Sequence, residues 1–333
     1  MFRSPSMPRT SFAACLLFSI LTPALWSQQA QAPAQNPSTE RWDILSLTGS
    51  GLHAQPPILG QKDTLPDFTR ELIQVQWRDN DPMDLYVIRP AGIAKPPVVL
   101  VLYSYPTDTA KFLNNALCEN FIRHGFAVAG FVSALTGSRY HDRPMKQWFV
   151  SQLPESIGAS VHDVQMVINY LETRSDLDAD RVGIFGQGSG GTIAILAAAT
   201  DSRIQAVDVM DPWGDWPNWL AKSPQVPESE RPAYLRPEFL ASVAPLDPVH
   251  WLTQWRKHPT HTVIRIQENL FNLAMPEDVR RQMETAAAGS AEIVEYHSRQ
   301  EYLEKVSTNS RMLDWMQSKL DTKNLSADNK AGS

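Results

Sequence analysis

The stretch Val182–Gly191, VGIFGQGSGG, sets the reading of everything around it. An apolar run ends in glycines at 186, 188, 190 and 191, and an alanine-rich apolar segment follows at once, as far as Ala199. A short apolar run closed by glycine has the pattern of a buried strand, and the segment after it has the composition of a helix. The order is strand, very tight turn, helix. Gly186 and Gly190 are small residues at the spacing where two backbones have to approach closely.

Working outward, Phe68–Trp77 and Met83–Ile88 alternate in polarity across Asp79, Asn80, Asp81 and Pro82, the signal of an antiparallel hairpin. Val98–Leu102, VVLVL, is apolar throughout, as a strand buried on both faces should be. Lys111–His124 has helical spacing and stops at Gly125, Phe126–Val132 reads as another buried strand, and Ser160–Arg174 as a helix opened by a Ser160/Asp163 cap. Beyond the turn come strand Ile204–Met210, strand His261–Gln267, helix Pro276–Ala288, strand Glu292–Tyr296 and helix Gln300–Leu320. The interval 211–259, dense in proline and tryptophan, is expected to form a lid of short helices over the strand ends. Alternating strands and helices after an antiparallel start imply an α/β fold, a mostly parallel central sheet with helices on both faces.

Element count, element order, the placing of the insertion and the phrase DLDADRVGIFGQGSGG (176–191) together resemble the α/β-hydrolase fold. They are most similar to its branch of dienelactone hydrolases, acetyl xylan esterases and prolyl-oligopeptidase-like proteins. The resemblance spans roughly residues 66–320 and implies a domain over 66–321. It also implies a serine, an acid and a histidine in that chain order, with two backbone N–H groups facing a developing oxyanion.

Each of those places departs from the family pattern. The middle of the elbow, normally the attacking serine, is Gly188. A serine there is held at positive φ at a cost of about 1–3 kcal/mol, a cost glycine does not carry. The rival nucleophile is Ser189, whose ordinary role is at a helix start; centring the elbow on it puts Gln187 where a small residue belongs. Family spacing back from Pro276 puts Asn272 in the acid place, with Glu268 and Asp211 as substitutes. The histidine place falls on Glu301, and His297 stands about one helical turn early. An oxyanion or ligand site remains conceivable from the N–H groups of Tyr105 and Ser189 beside the positive end of the helix.

Two functions therefore compete. One is a fold with a degenerate triad (Gly188, Asn272, Glu301) that binds a small ester-like, carboxylate or carbohydrate-derived ligand. The other is an active serine esterase or peptidase using Ser189, His297 and either Glu268 or Asp211. Gly186-x-Gly188-x-x-Gly191, with Asp208 further on, also spells the dinucleotide-binding turn, but that turn opens its domain on a first strand and several precede it here. No cofactor is expected, and no histidine pair has convincing metal-ligand spacing, so no metal is expected either. Trp213, Trp216 and Trp219 suit packing of the lid on the core, or the floor of a sugar site.

Residues 1–32 read as a secretory signal, with Arg3 and Arg9 ahead of an apolar core Phe12–Leu25 and Ala-x-Ala at 30–32. The apolar core is short for a membrane span. Cys15 offers a lipoprotein alternative, but apolar sequence continues past it. The mature protein is expected to be exported, periplasmic or secreted, without a membrane anchor. Losing Arg3 and Arg9 takes the formal charge from -6 to -8, which does not suggest a nucleic-acid partner. Cys118 is then the remaining cysteine, so no intrachain disulfide forms and the core must supply the stability. Residues 33–65 are expected as an irregular arm and 322–333 as a frayed tail; the sequence leaves the oligomeric state open.

Overall fold

The computed structural model describes residues 40–104, 109–134, 152–258, 260–307 and 313–320. Strands β1 (Ile58–Thr64), β2 (Phe68–Val75), β3 (Met83–Pro90), β4 (Pro97–Leu102), β5 (Ala127–Phe131), β6 (Asp178–Gln187), β7 (Ile204–Met210), β8 (Val263–Asn269) and β9 (Glu292–Tyr296) join in one sheet. Their order across it is β1-β2-β3-β5-β4-β6-β7-β8-β9. The β1-β2, β2-β3 and β3-β5 pairs are antiparallel, and every pair from β5 onward is parallel.

β4 and β6 lie at the centre because their side chains can be buried on both faces. Val98–Leu102 are at most 1 % exposed, and each such aliphatic side chain contributes about 1.5–3 kcal/mol by leaving water. Helices α2 (Leu153–Glu172) and α3 (Ser189–Thr200) cover one face, burying Val161, Val164, Ile193 and Leu196. On the other face, α1 (Asn115–Ile122) and the helical stretch 313–320 supply Phe121, Leu313, Met316 and Leu320.

The interval after β7 contains short helices α4 (Trp216–Lys222), α5 (Arg231–Tyr234), α6 (Pro237–Val243) and α7 (Pro248–Lys257). Trp213, Trp216 and Trp219 are at most 3 % exposed and join the main core. The Trp213 and Trp219 rings lie 4.7 Å apart, and the Trp216 ring meets Trp219 edge-on at 5.7 Å. So deeply buried, they pack this interval onto the core. α7 packs on α3 and on α8 (Glu277–Ala287), so the end of this interval is the ordinary crossover helix between β7 and β8.

Three expectations need correction. Part of the expected arm is strand β1, whose side chains are almost all exposed; backbone pairing with β2 and the Lys62–Glu71 and Asp63–Arg70 ion pairs hold it, so no hydrophobic alternation announces it. α2 begins at Leu153, and Ser160 lies inside it, with its hydroxyl donating to Ser156 O at 2.7 Å and accepting from Ala134 N–H at 2.8 Å. Asp163 is no cap either, since it accepts from Trp77 Nε1 at 2.8 Å and from Arg78. The last helix is interrupted: α9 (Arg299–Tyr302) runs into a π turn at Leu303–Ser307, and 308–312 lie outside the described residues. The expected signal segment 1–32 and the expected tail 322–333 also lie outside them. No helix among the described residues is long and apolar enough to cross a membrane.

Candidate active site at the strand-to-helix turn

β6 ends at Gln187 and α3 starts at Ser189, so the whole change of direction falls on Gly188, at φ 53° and ψ -120°. That conformation is strained for any residue with a Cβ. The flanking glycines have a different reason. A Cβ on Gly186 would strike the Gly190 carbonyl and come within 2.7 Å of Gly191 Cα, and one on Gly190 would come within 2.7 Å of the Leu102 carbonyl carbon. The turn therefore has Gly188 at its apex. Ser189 is in the first turn of α3, fully buried.

A side chain at Gly188 would project between β4 and the segment after β7. Its Cβ would collide with Ser104 Oγ, lie 2.8 Å from Ser104 Cβ and stand 3.2 Å from Trp213 Nε1. A hydroxyl and an indole N–H thus line the space where the fold normally places a nucleophile. Ser104 lies in the run Tyr103–Pro106 after β4, and its position there, two residues beyond the buried run, is a sequence signal for the place but not for this role. Trp213 is fixed to the turn, its backbone N–H donating to Gly188 O at 3.4 Å and its carbonyl accepting from Thr192 Oγ1 at 2.6 Å. Tyr105, the other expected oxyanion donor, lies outside the described residues.

The acid place and its substitute come together. Asp211, at the end of β7, is buried at φ 47°, a left-handed conformation that Asp tolerates better than most residues. Its carboxylate accepts from Asn269 N–H at 2.8 Å, Asn269 Nδ2 at 2.9 Å and Asn272 Nδ2 at 2.9 Å. Asn272 also accepts from Ala274 N–H at 3.1 Å. Asn272 therefore anchors the loop after β8 onto Asp211, and the Asp211 oxygens are taken up in doing so.

Glu268 is one residue from this group and belongs to a different cluster. It is 2 % exposed, and burial, with Glu284 close by, pushes its carboxyl up to about 9. Arg280 Nε lies 3.7 Å from its Oε2. One carboxylate oxygen from each of Glu268, Glu284 and Glu295 lies within 4.8 Å of the others, the one group among the described residues with the makings of a cation site.

The histidine place is a helix start. Glu301 accepts from His297 N–H at 2.8 Å and from Lys305 Nζ at 2.5 Å, while its own N–H donates to Ser298 Oγ at 3.1 Å. Lys305 first, then the His297 N–H, holds the Glu301 carboxyl below the usual range. The His297 side chain is 68 % exposed, with Glu295 at 4.0 Å. Ser189 is enclosed in the core and the His297 imidazole faces solvent.

Residues 83–247 match the dienelactone hydrolase family, a stretch that contains the elbow and ends before β8 and β9. No curated protein matches the chain in sequence. Among solved structures, the chain is similar to an acetyl xylan esterase from Paenibacillus sp. R4, at 17 % identity and TM-score 0.54, covering 74 % of this chain and 83 % of that one. It is similar also to acetyl xylan esterase 1 from Thermoanaerobacterium sp. JW/SL YS485, at 13 % identity and TM-score 0.57, covering 77 % and 87 %. The acylaminoacyl peptidase of Pyrococcus horikoshii aligns at 14 % identity and TM-score 0.57 over 74 % of this chain and 40 % of its own length. At these identities the likeness is one of fold.

Proposed function

Because the chain belongs to the α/β-hydrolase superfamily, in the branch of the dienelactone hydrolases and acetyl xylan esterases, we propose that it is an exported member whose elbow binds a ligand without attacking it. The ligand class is a small ester-like, carboxylate or carbohydrate-derived molecule. The observation that carries this reading is Gly188 at the apex of the turn, with Ser104 Oγ in the space a nucleophile needs.

The chemistry available there is that of holding. The positive end of α3 favours a carbonyl or carboxylate oxygen, and Ser104 provides a hydroxyl at the same place. Without a serine and its base, the covalent step is missing, along with general-base assistance worth about 10²- to 10⁴-fold. The Asp211–Asn269–Asn272 group serves this site by fixing the loop after β8 rather than by orienting a histidine. The alternative is an esterase or peptidase in which Ser189 attacks, His297 acts as base and Asp211 or Glu268 orients it.

Hydrolysis of p-nitrophenyl acetate by the mature protein, compared with Ser189→Ala, separates the two. The binding reading expects a rate near background that Ser189→Ala leaves unchanged; turnover abolished by that change would establish the esterase. Export rests on the N-terminal segment, and N-terminal sequencing of protein recovered outside the cytoplasm should find a start beyond Ala32.

A further inference from the structure

We propose that Glu268, Glu284 and Glu295 form a binding site for one divalent, oxygen-seeking cation of the calcium or manganese class. The three residues are distant in sequence and are gathered only by the fold. Glu268 on β8 and Glu295 on β9 are neighbours across the ladder, and Glu284 comes down from α8. One oxygen of each lies within 4.8 Å of the others, the span two oxygens take on opposite sides of an ion ligated at about 2.4 Å. A donor set made only of carboxylates suits hard cations.

Two further observations point to a bound ion. The Glu268 side chain is 3 % exposed, yet its Oε2 accepts from no N–H or hydroxyl and has only the Glu284 carboxyl to share a proton with, although a buried carboxylate oxygen ordinarily has a donor. The neighbouring charges also fall short. Arg280, whose Nε is itself without a hydrogen-bond partner, is 3.7 Å away and is the one guanidinium among the described residues paired with the cluster. A divalent ion would displace the proton that burial and Glu284 keep on Glu268, and three carboxylates, Arg280 and the ion together would then be neutral. Asp211 adds to the negative field but is occupied by Asn269 and Asn272, and His297 stands 4.0 Å from Glu295 at the rim. Glu295, 42 % exposed, gives an ion a way in and room for water ligands. A cation here would tie β8, β9 and α8 together beside the loop carrying Asn272. The inference is independent of whether the elbow is silent or active.

The test is isothermal titration of the full mature protein, stripped with EDTA, with CaCl₂, MnCl₂ and MgCl₂ in turn, paired with thermal unfolding in each. Saturable one-site binding of calcium or manganese is expected, with a dissociation constant of about 10⁻⁵–10⁻³ M and a higher unfolding midpoint. Glu295→Gln, exposed enough to keep the midpoint seen in EDTA, should weaken binding by at least about tenfold. No saturable binding of any of the three ions would overturn the proposal in favour of carboxyls sharing a proton. Binding unaffected by Glu295→Gln would overturn it as well, by placing the ion elsewhere.

Discussion

Ser104 Oγ stands where a side chain on Gly188 would have to stand, so the hydroxyl at this elbow comes from the end of β4 rather than from the turn itself. The relationship has a direct consequence for repair by mutation. Gly188→Ser carries both the strain of positive φ and a collision with Ser104, and should lower stability by about 1–3 kcal/mol without creating esterase activity. Urea denaturation and p-nitrophenyl acetate turnover check both halves.

The collision and the strain can be separated. Ser104→Gly removes the obstructing atoms, so the double variant Ser104→Gly/Gly188→Ser should be more stable than the sum of the two single changes implies. A coupling of about 0.5–3 kcal/mol in that double-mutant cycle is expected for residues in contact, and additivity would show that they do not meet.

Asp211 is predicted to matter for stability more than its place near a catalytic turn suggests. Asp211→Ala strands three donors and puts alanine at φ 47°, and should cost at least about 1–3 kcal/mol. Asp211→Asn keeps a residue type that tolerates this backbone and one side-chain acceptor, and should cost less. Equilibrium denaturation of the two variants ranks them.

Acid should loosen the segment that begins at Glu40. Burial raises the Glu40 carboxyl, but hydrogen bonds from Arg78 and His162 outweigh it and hold the group below its ordinary value of 4.5. A carboxyl lowered on folding contributes stability above its unfolded value and loses it as pH falls through the folded one. The unfolding midpoint of wild type should therefore exceed that of Glu40→Gln near pH 7, and the gap should close as pH drops below 4.5. A gap independent of pH would mean that the charge of Glu40 is not what clamps the segment.

What could be read in advance follows physical lines. β4 and the turn at Gly188 announce themselves, one by an unbroken apolar run and the other by glycines that backbone contact demands. β1 does not, because an edge strand with exposed side chains has no pattern to display. The start of α2 was obscured because Ser160 and Asp163 mimic a cap while serving Ala134, Trp77 and Arg78. Ser104, and the meeting of Glu268, Glu284 and Glu295, depend on the packing of separate elements, which no local spacing encodes. Family spacing points to Asn272 and Glu301, but that they hold Asp211 and open α9 depends on contacts the spacing does not encode.

The decisive experiment is intact-protein mass spectrometry of the folded mature chain after exposure to a fluorophosphonate. With glycine at the apex and Ser189 enclosed, the mass should be unchanged. A stoichiometric adduct on Ser189 would contradict the binding reading and make this protein a serine hydrolase.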